Sequence, residues 1–458
     1  MQGAARLERA GLVALTIAVF GPYVTLGPVP VRSEQIAVYG GFALMLVLAV
    51  MGRTQLPPLT RPGRTLVLLL LALPATLVLS VIAASVTSNR PDFVSIIAAL
   101  DSQLMPVLVV LLVAWLARPL SPGSPHLTIV ARTLVVCLTV NSLVILIQIL
   151  TGSSSWLRAF WAPAGGGQTV AELALGNGRY TGVVNQPAEA GLLYGIGLIG
   201  LVWACGWPRT WTVLAALAAG FGGLASGSKV FLVAAAVTLV LLLVRPGTWR
   251  ARLTQVLGLS VVLALAGGLL IVSSSLSPTP SQVAGLGQLG GVVGGGVATT
   301  PSDGQPPTLL ERIVYRATAG RFGPGGTLTN AFDWSSPVQA VFGPGPGKKD
   351  ERPAFDSAWV EVFILGGFLG VLALLAVMLQ LGRLSRWSRS IPRYVLMAPA
   401  LFLTVLFAST GFGSLTANRT TTVFWTVFTL LAVAALPSTS KKQAEQLDAD
   451  LADRQPAT

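Results

Sequence analysis

Histidine and cysteine are nearly absent from this chain. A single histidine, His126, excludes a multi-histidine metal site. Cys137 and Cys205 both fall inside apolar runs, so neither a disulfide framework nor a thiolate metal site is indicated. Charge is scarce as well: only 10% of the 458 residues are Asp, Glu, Lys or Arg, against about 25% in a soluble protein. With 53% hydrophobic residues and a mean hydropathy of +0.73, the deficit points to an all-α polytopic membrane protein. The net charge is +13, but most Arg and Lys lie in short breaks between apolar runs, which is the orientation signal of membrane proteins. Membrane lipids are therefore the expected surroundings, and nucleic acid is not an expected partner.

Apolar runs long enough to cross a bilayer, ~20 residues each, recur from Gly11 to about Leu436. They divide into about twelve spans: 11–29, 36–52, 65–86, 94–117, 127–150, 187–206, 211–226, 230–245, 254–273, 357–380, 394–413 and 421–437. The pair 211–226 and 230–245 is short and reads as tilted or partial helices. The first run lacks a small-residue cleavage site followed by a soluble domain and reads as a retained span. One set of loops contains Arg6 and Arg9, Arg53, Arg61 and Arg64, Arg118, Arg209, Arg245, Arg250 and Arg252, Arg383 to Arg393, and Lys441 and Lys442. The short loops of the other set contain only Arg32, Arg90, Lys229 and Arg419. The excess of cations puts both termini in the cytoplasm, as an even number of spans requires.

The chain then divides into a membrane bundle of about nine spans (1–273), one large external loop containing short helices (274–356), the C-terminal spans (357–437) and a solvated cytoplasmic tail (438–458). Within the loop, 278–307 is rich in Gly, Ser and Pro and is expected to be flexible, because it has too little apolar surface to fix one conformation. From Leu309 onward, aromatic and charged residues return, and that half is expected to fold.

This orientation gathers charge on the outer face. The cations are Arg158, Arg179, Lys229, Arg312, Arg316, Arg321, Lys348, Lys349 and Arg352; the acids include Glu172, Glu189, Asp356 and, deeper, Glu361. A charge at that depth needs a partner or a water-filled cavity. Fixed cations at headgroup level suit a lipid pyrophosphate, which Arg binds through charge-assisted hydrogen bonds. They also stabilise a leaving pyrophosphate as its charge develops. A nearby carboxylate could take the proton of an attacking hydroxyl, an effect worth ~10²–10⁴ in rate. Simpler roles remain open: Asp356 is placed to cap a helix, Glu361 to pair two helices, Arg179 and Lys229 to anchor at headgroups. Asp101, two turns into the fourth span, is expected to hydrogen-bond to a neighbouring helix, with Asn141 or Gln148 as partner.

Three stretches, in order, resemble the O-antigen ligase and polymerase superfamily of bacterial membrane glycosyltransferases. They are "GRYTGVVNQPAEAGLLYGIGLIGLV", "LASGSKVFLVAAAVTLVLLL" and "VFGPGPGKKDERPAFDSAWVEVFILGGFLGVLALL". Together they span roughly Arg179 to Leu375. The ligases' pattern is His, then Asn, Ser or Gln, nine residues, Gly, two residues and often a second Gly. Here Asp356 and Ser357 precede Gly367 and Gly370 at that spacing, and the histidine is missing. Lys229 stands where the family usually has Arg and can supply charge but not a bidentate fork.

The resemblance implies a multi-pass protein of the bacterial plasma (inner) membrane that polymerises O-antigen or exopolysaccharide repeat units carried on undecaprenyl pyrophosphate. The catalytic residues would be Asp356, with Glu361 as the alternative base. Arg179, Lys229, Arg312 and Arg321 would bind the pyrophosphate. No metal or other cofactor is expected; the donor is an undecaprenyl-pyrophosphate-linked oligosaccharide, the acceptor a glycan, and a chain-length regulator a further partner. The rival readings are an O-antigen-type ligase acting on a lipid A core or another acceptor, and a flippase or transporter of lipid-linked glycans.

Overall fold

The computed structural model describes residues 2–26, 29–54, 59, 61–86, 92–117, 125–161, 169–176, 178–275, 336–347, 357–387, 394–411, 413, 415–416 and 418–434. Asp356, Arg312 and Arg321, the 278–307 stretch and the 438–458 tail lie outside these residues. A helix overlaps each of the twelve predicted spans. In chain order they are α1 (Gln2–Ala18), α2 (Ser33–Val50), α3 (Arg61–Val86), α4 (Phe93–Leu116), α5 (His126–Thr151), α7 (Pro187–Gly200, continued by a π turn over Leu201–Cys205), α8 (Arg209–Ala225), α9 (Lys229–Val244), α10 (Trp249–Ser275), α12 (Ala358–Trp387), α13 (Met397–Ala408) and α14 (Asn418–Ala434). Short helices α6 (Val170–Leu175) and α11 (Pro337–Phe342) lie in the connections. Seven of the helices are individually long and apolar enough to cross a membrane, and α9 and α13 are shorter apolar helices.

Helices satisfy their own backbone, which is what a hydrocarbon surrounding demands. Large apolar side chains accordingly face outward along them, among them Leu68, Val240 and Leu372. The interior is built around α7, 89% of whose most apolar stretch is buried. Glycine makes this possible. A Cβ at Gly191 would run into the Ser228 side chain, and one at Gly195 into Ala234, so α7 lies close against α9, as small residues allow in membrane interfaces.

The N-terminal region differs from expectation. The first helix ends at Ala18 instead of continuing to residue 29, and an antiparallel pair follows, β1 (Tyr23–Leu26) with β2 (Val29–Arg32), pairing Tyr23 with Arg32. Gly21 and Pro22 end the apolar helix, and the β-branched, proline-containing run that follows suits strand better than helix. The 211–226 and 230–245 pair forms two helices, α8 and α9, of 17 and 16 residues.

Helix α12 is broken at Gly367, whose φ of 58° and ψ of −151° are not helical. The connection after α11 docks on this break. The Gly345 amide donates to the Ile364 carbonyl at 3.2 Å, and Ser80 of α3 donates to the Gly343 carbonyl at 3.4 Å. A Cβ on Gly343 or on Gly367 would strike the backbone of the other segment. Gly343 of "FGPGPG" therefore serves close backbone packing.

Candidate functional site

Arg179 is held on a loop whose backbone is tied down at nearly every residue. The Arg179 amide donates to the Ala174 carbonyl at 3.1 Å and the Tyr180 amide to the Ala225 carbonyl at 2.9 Å. Gln148 of α5 accepts from the Gly182 amide at 3.0 Å, and Asn141 accepts from the Val183 amide at 2.8 Å. Asn141 also donates to the Thr181 carbonyl and to the Tyr194 hydroxyl, and Tyr194 shares a hydrogen bond with Ser142. These contacts correct the expected partners of Asp101: Asn141 and Gln148, about two turns apart on the buried face of α5, hold the 181–183 loop instead.

The structure brings Arg179 and Lys229 to one turn. The Arg179 guanidinium lies over the turn between α8 and α9, donating to the carbonyls of Ser226 and Gly227 at 3.3 Å each. Gly227 takes a φ of +59°, in the left-handed region, and Ser228 caps α9 by accepting from the Val230 amide. Lys229 is the first residue of α9 and its side chain is exposed. Nearby in sequence, Arg158 pairs with Glu172 at 2.6 Å. The Thr169 amide, with Arg158 beside it, holds the Glu172 carboxyl below its usual range.

Glu361 lies one turn into α12, half-buried, and accepts from the Thr416 hydroxyl at 3.3 Å. The start of α12 is fastened to the end of α13: the Ala358 amide and the Ser357 hydroxyl both donate to the Ser409 carbonyl, at 3.0 and 3.2 Å. Helix α13, whose end holds the start of α12, packs against α9, the helix that Lys229 opens.

Arg419 and Arg32 were placed in short loops by the sequence pattern; both are buried. The Arg419 guanidinium donates to the carbonyls of Val183 at 2.7 Å, Gly21 at 3.0 Å and Phe160 at 2.9 Å. Its backbone amide donates to Glu189 at 2.8 Å, and its guanidinium carbon sits 5.5 Å from the Tyr23 ring centre. Arg32 lies 3.3 Å from Glu34 and 3.4 Å from Asp101. Asp101 also accepts from Gln35 and from Tyr39, each at 2.6 Å. Burial in this setting pushes the Tyr23 hydroxyl up to about 12.

Sequence reasoning missed this buried cluster. The available signal was an Arg at the very start of an apolar run, as in "NRTTT" and "RSEQ", where a loop cation would sit further out. In comparison with known proteins, the chain matches no protein-family model and no curated protein.

Proposed function

We propose that this protein is a membrane glycosyltransferase that polymerises glycan repeat units from undecaprenyl-pyrophosphate-linked donors on the outer leaflet of the bacterial plasma membrane. The chain crosses the membrane about twelve times with both termini in the cytoplasm, and 274–356 forms the external loop. The observation that carries the reading is the placement of Arg179 and Lys229 on one turn, with α9, which Lys229 opens, packed against α13, whose end fastens the start of α12 that bears Glu361.

In the proposed reaction, an acceptor hydroxyl gives its proton to Asp356 and its oxygen bonds to the anomeric carbon of the donor sugar. The bond from that carbon to the pyrophosphate oxygen breaks, with inversion in a single displacement. Arg179 and Lys229, with Arg312 and Arg321 from the external loop, stabilise the charge that develops on the departing lipid pyrophosphate. A rigid loop suits this task, because donors fixed beforehand need no reorganisation as charge develops.

The test uses purified protein, an undecaprenyl-pyrophosphate oligosaccharide and EDTA, following glycan length and released lipid pyrophosphate. A ladder of longer glycans from wild type and its near-absence in folded Asp356→Asn supports the polymerase and its base. Full activity in that variant makes Asp356 a helix cap and transfers the role to Glu361. Transfer of the glycan to a lipid A core without elongation supports the ligase.

A second reading, a transporter of lipid-linked glycans, draws on a different observation. A spanning helix broken at Gly367, with irregular backbone packed into the break, is a feature of transporters. Movement of donor across a vesicle membrane without release of lipid pyrophosphate would support it.

A further inference from the structure

The buried cluster has more carboxylates than cations. Around Glu34 of α2 stand Arg32 from β2, Tyr23 from β1, Asp101 from α4, Glu189 from α7 and Arg419 from α14. Among the described residues, this sets Glu34, Asp101 and Glu189 against Arg32 and Arg419. Glu34, Glu189 and Arg419 are completely buried, and the Arg32 side chain is 7% exposed. A net negative charge in such a place is costly, and the side chains themselves cannot cancel it.

Hydrogen bonding locates the imbalance. Asp101 is well supplied, accepting from Arg32, Gln35 and Tyr39. The Nη atoms of Arg419 are directed at three backbone carbonyls. Among the described residues Glu189 receives only the Arg419 backbone amide, on Oε1, and its Oε2 has no hydrogen-bond partner. Among the described residues neither oxygen of Glu34 has one: Arg32 Nε lies 3.3 Å away without hydrogen-bond geometry, and Glu34's own amide comes near without it.

We infer that the Glu34–Glu189 pair is a proton-binding site, holding one proton at neutral pH and thereby balancing the cluster. A proton fits where a metal ion does not, because two guanidinium groups already occupy the surroundings and repel a further fixed cation. The site is separate from the proposed pyrophosphate grip and stands whether or not the protein transfers sugars.

The test is infrared spectroscopy of the full chain in detergent at about pH 7.5, some three units above the ordinary Glu pKa of about 4.3. The chain carries Glu361→Gln, so that this other half-buried carboxyl adds no signal. The expected result is a protonated-carboxyl band that shifts in deuterium oxide and is lost on adding Glu34→Gln or Glu189→Gln. Loss in only one of the two assigns the proton to that carboxyl. Absence of the band before any cluster substitution overturns the inference without requiring a cluster variant to fold. Retention of the band in both variants overturns it too, as does a missing band together with a melting temperature that rises with sodium.

Discussion

Two sets of cations occupy the same part of this molecule under opposite conditions. Arg179 lies across a turn, half-buried, with weak 3.3 Å contacts to two carbonyls and exposed Lys229 beside it. Arg419 is wholly buried, with shorter bonds to carbonyls of three separate segments. The first arrangement leaves guanidinium and ammonium groups able to meet an anion from outside. The second fixes the scaffold on which the first is displayed, since the Val183 carbonyl that Arg419 grips belongs to the loop carrying Arg179. Under the proposed function, Arg179 and Lys229 serve a ligand, while Arg419 serves the fold.

Breaking the scaffold side of this contrast should have the largest effect. Arg419→Ala leaves three buried carbonyls without their guanidinium donor and takes a buried cation from beside Glu189, whose bond from the residue-419 backbone amide remains, a loss of about 3–5 kcal/mol. A large drop in melting temperature in detergent is expected, with partial recovery in Arg419→Lys; an unchanged melting temperature would make the two sets of cations equivalent. On the ligand side, Arg179→Ala and Lys229→Ala should leave the melting temperature nearly intact. Each removes a charged hydrogen bond worth about 1.5–3 kcal/mol, so donor turnover should fall about ten- to hundredfold. Lys229→Arg should retain activity.

The broken helix sharpens the comparison by testing architecture without charge. Gly367→Ala forces a side chain into left-handed backbone against the Val341 and Gly343 backbone. This should cost about 1–3 kcal/mol, read as a lower melting temperature. The smallest effect belongs to the exposed pair of Arg158 and Glu172. Glu172→Gln should cost under about 1 kcal/mol. Because the folded-state pKa of Glu172 is depressed, its stabilisation is present above the unfolded value of about 4.3 and is lost as pH falls through the folded value. The melting-temperature difference between wild type and Glu172→Gln should therefore vanish in acid.

The helices were legible in the sequence because apolar runs bounded by Arg and Lys have few alternative structures. The end of α1 was not, since "YVTLGPVPVR" continues the hydropathy of a span while its prolines and β-branched residues favour strand pairing. Arg179 and Lys229 were both read as lying at headgroup level, but the seat of the Arg179 guanidinium on the carbonyls of Ser226 and Gly227 has no signature in a hydropathy pattern. The partners of Asp101 were not anticipated, because Asn141 and Gln148 lie on a helix whose polar side chains were claimed by the backbone of the 181–183 loop. Arg32 and Arg419 were misread for a related reason. A hydropathy profile locates a charge near a span's end but does not say whether carbonyls from other segments fold over it.

The most direct test of the central claim is glycan elongation by the Arg179→Ala/Lys229→Ala double variant. Purified folded protein would be given an undecaprenyl-pyrophosphate oligosaccharide in EDTA, with lipid pyrophosphate release followed in parallel. The account predicts a glycan ladder from wild type and loss of both ladder and pyrophosphate release in the double variant at unchanged melting temperature. Wild-type elongation by that variant would contradict it.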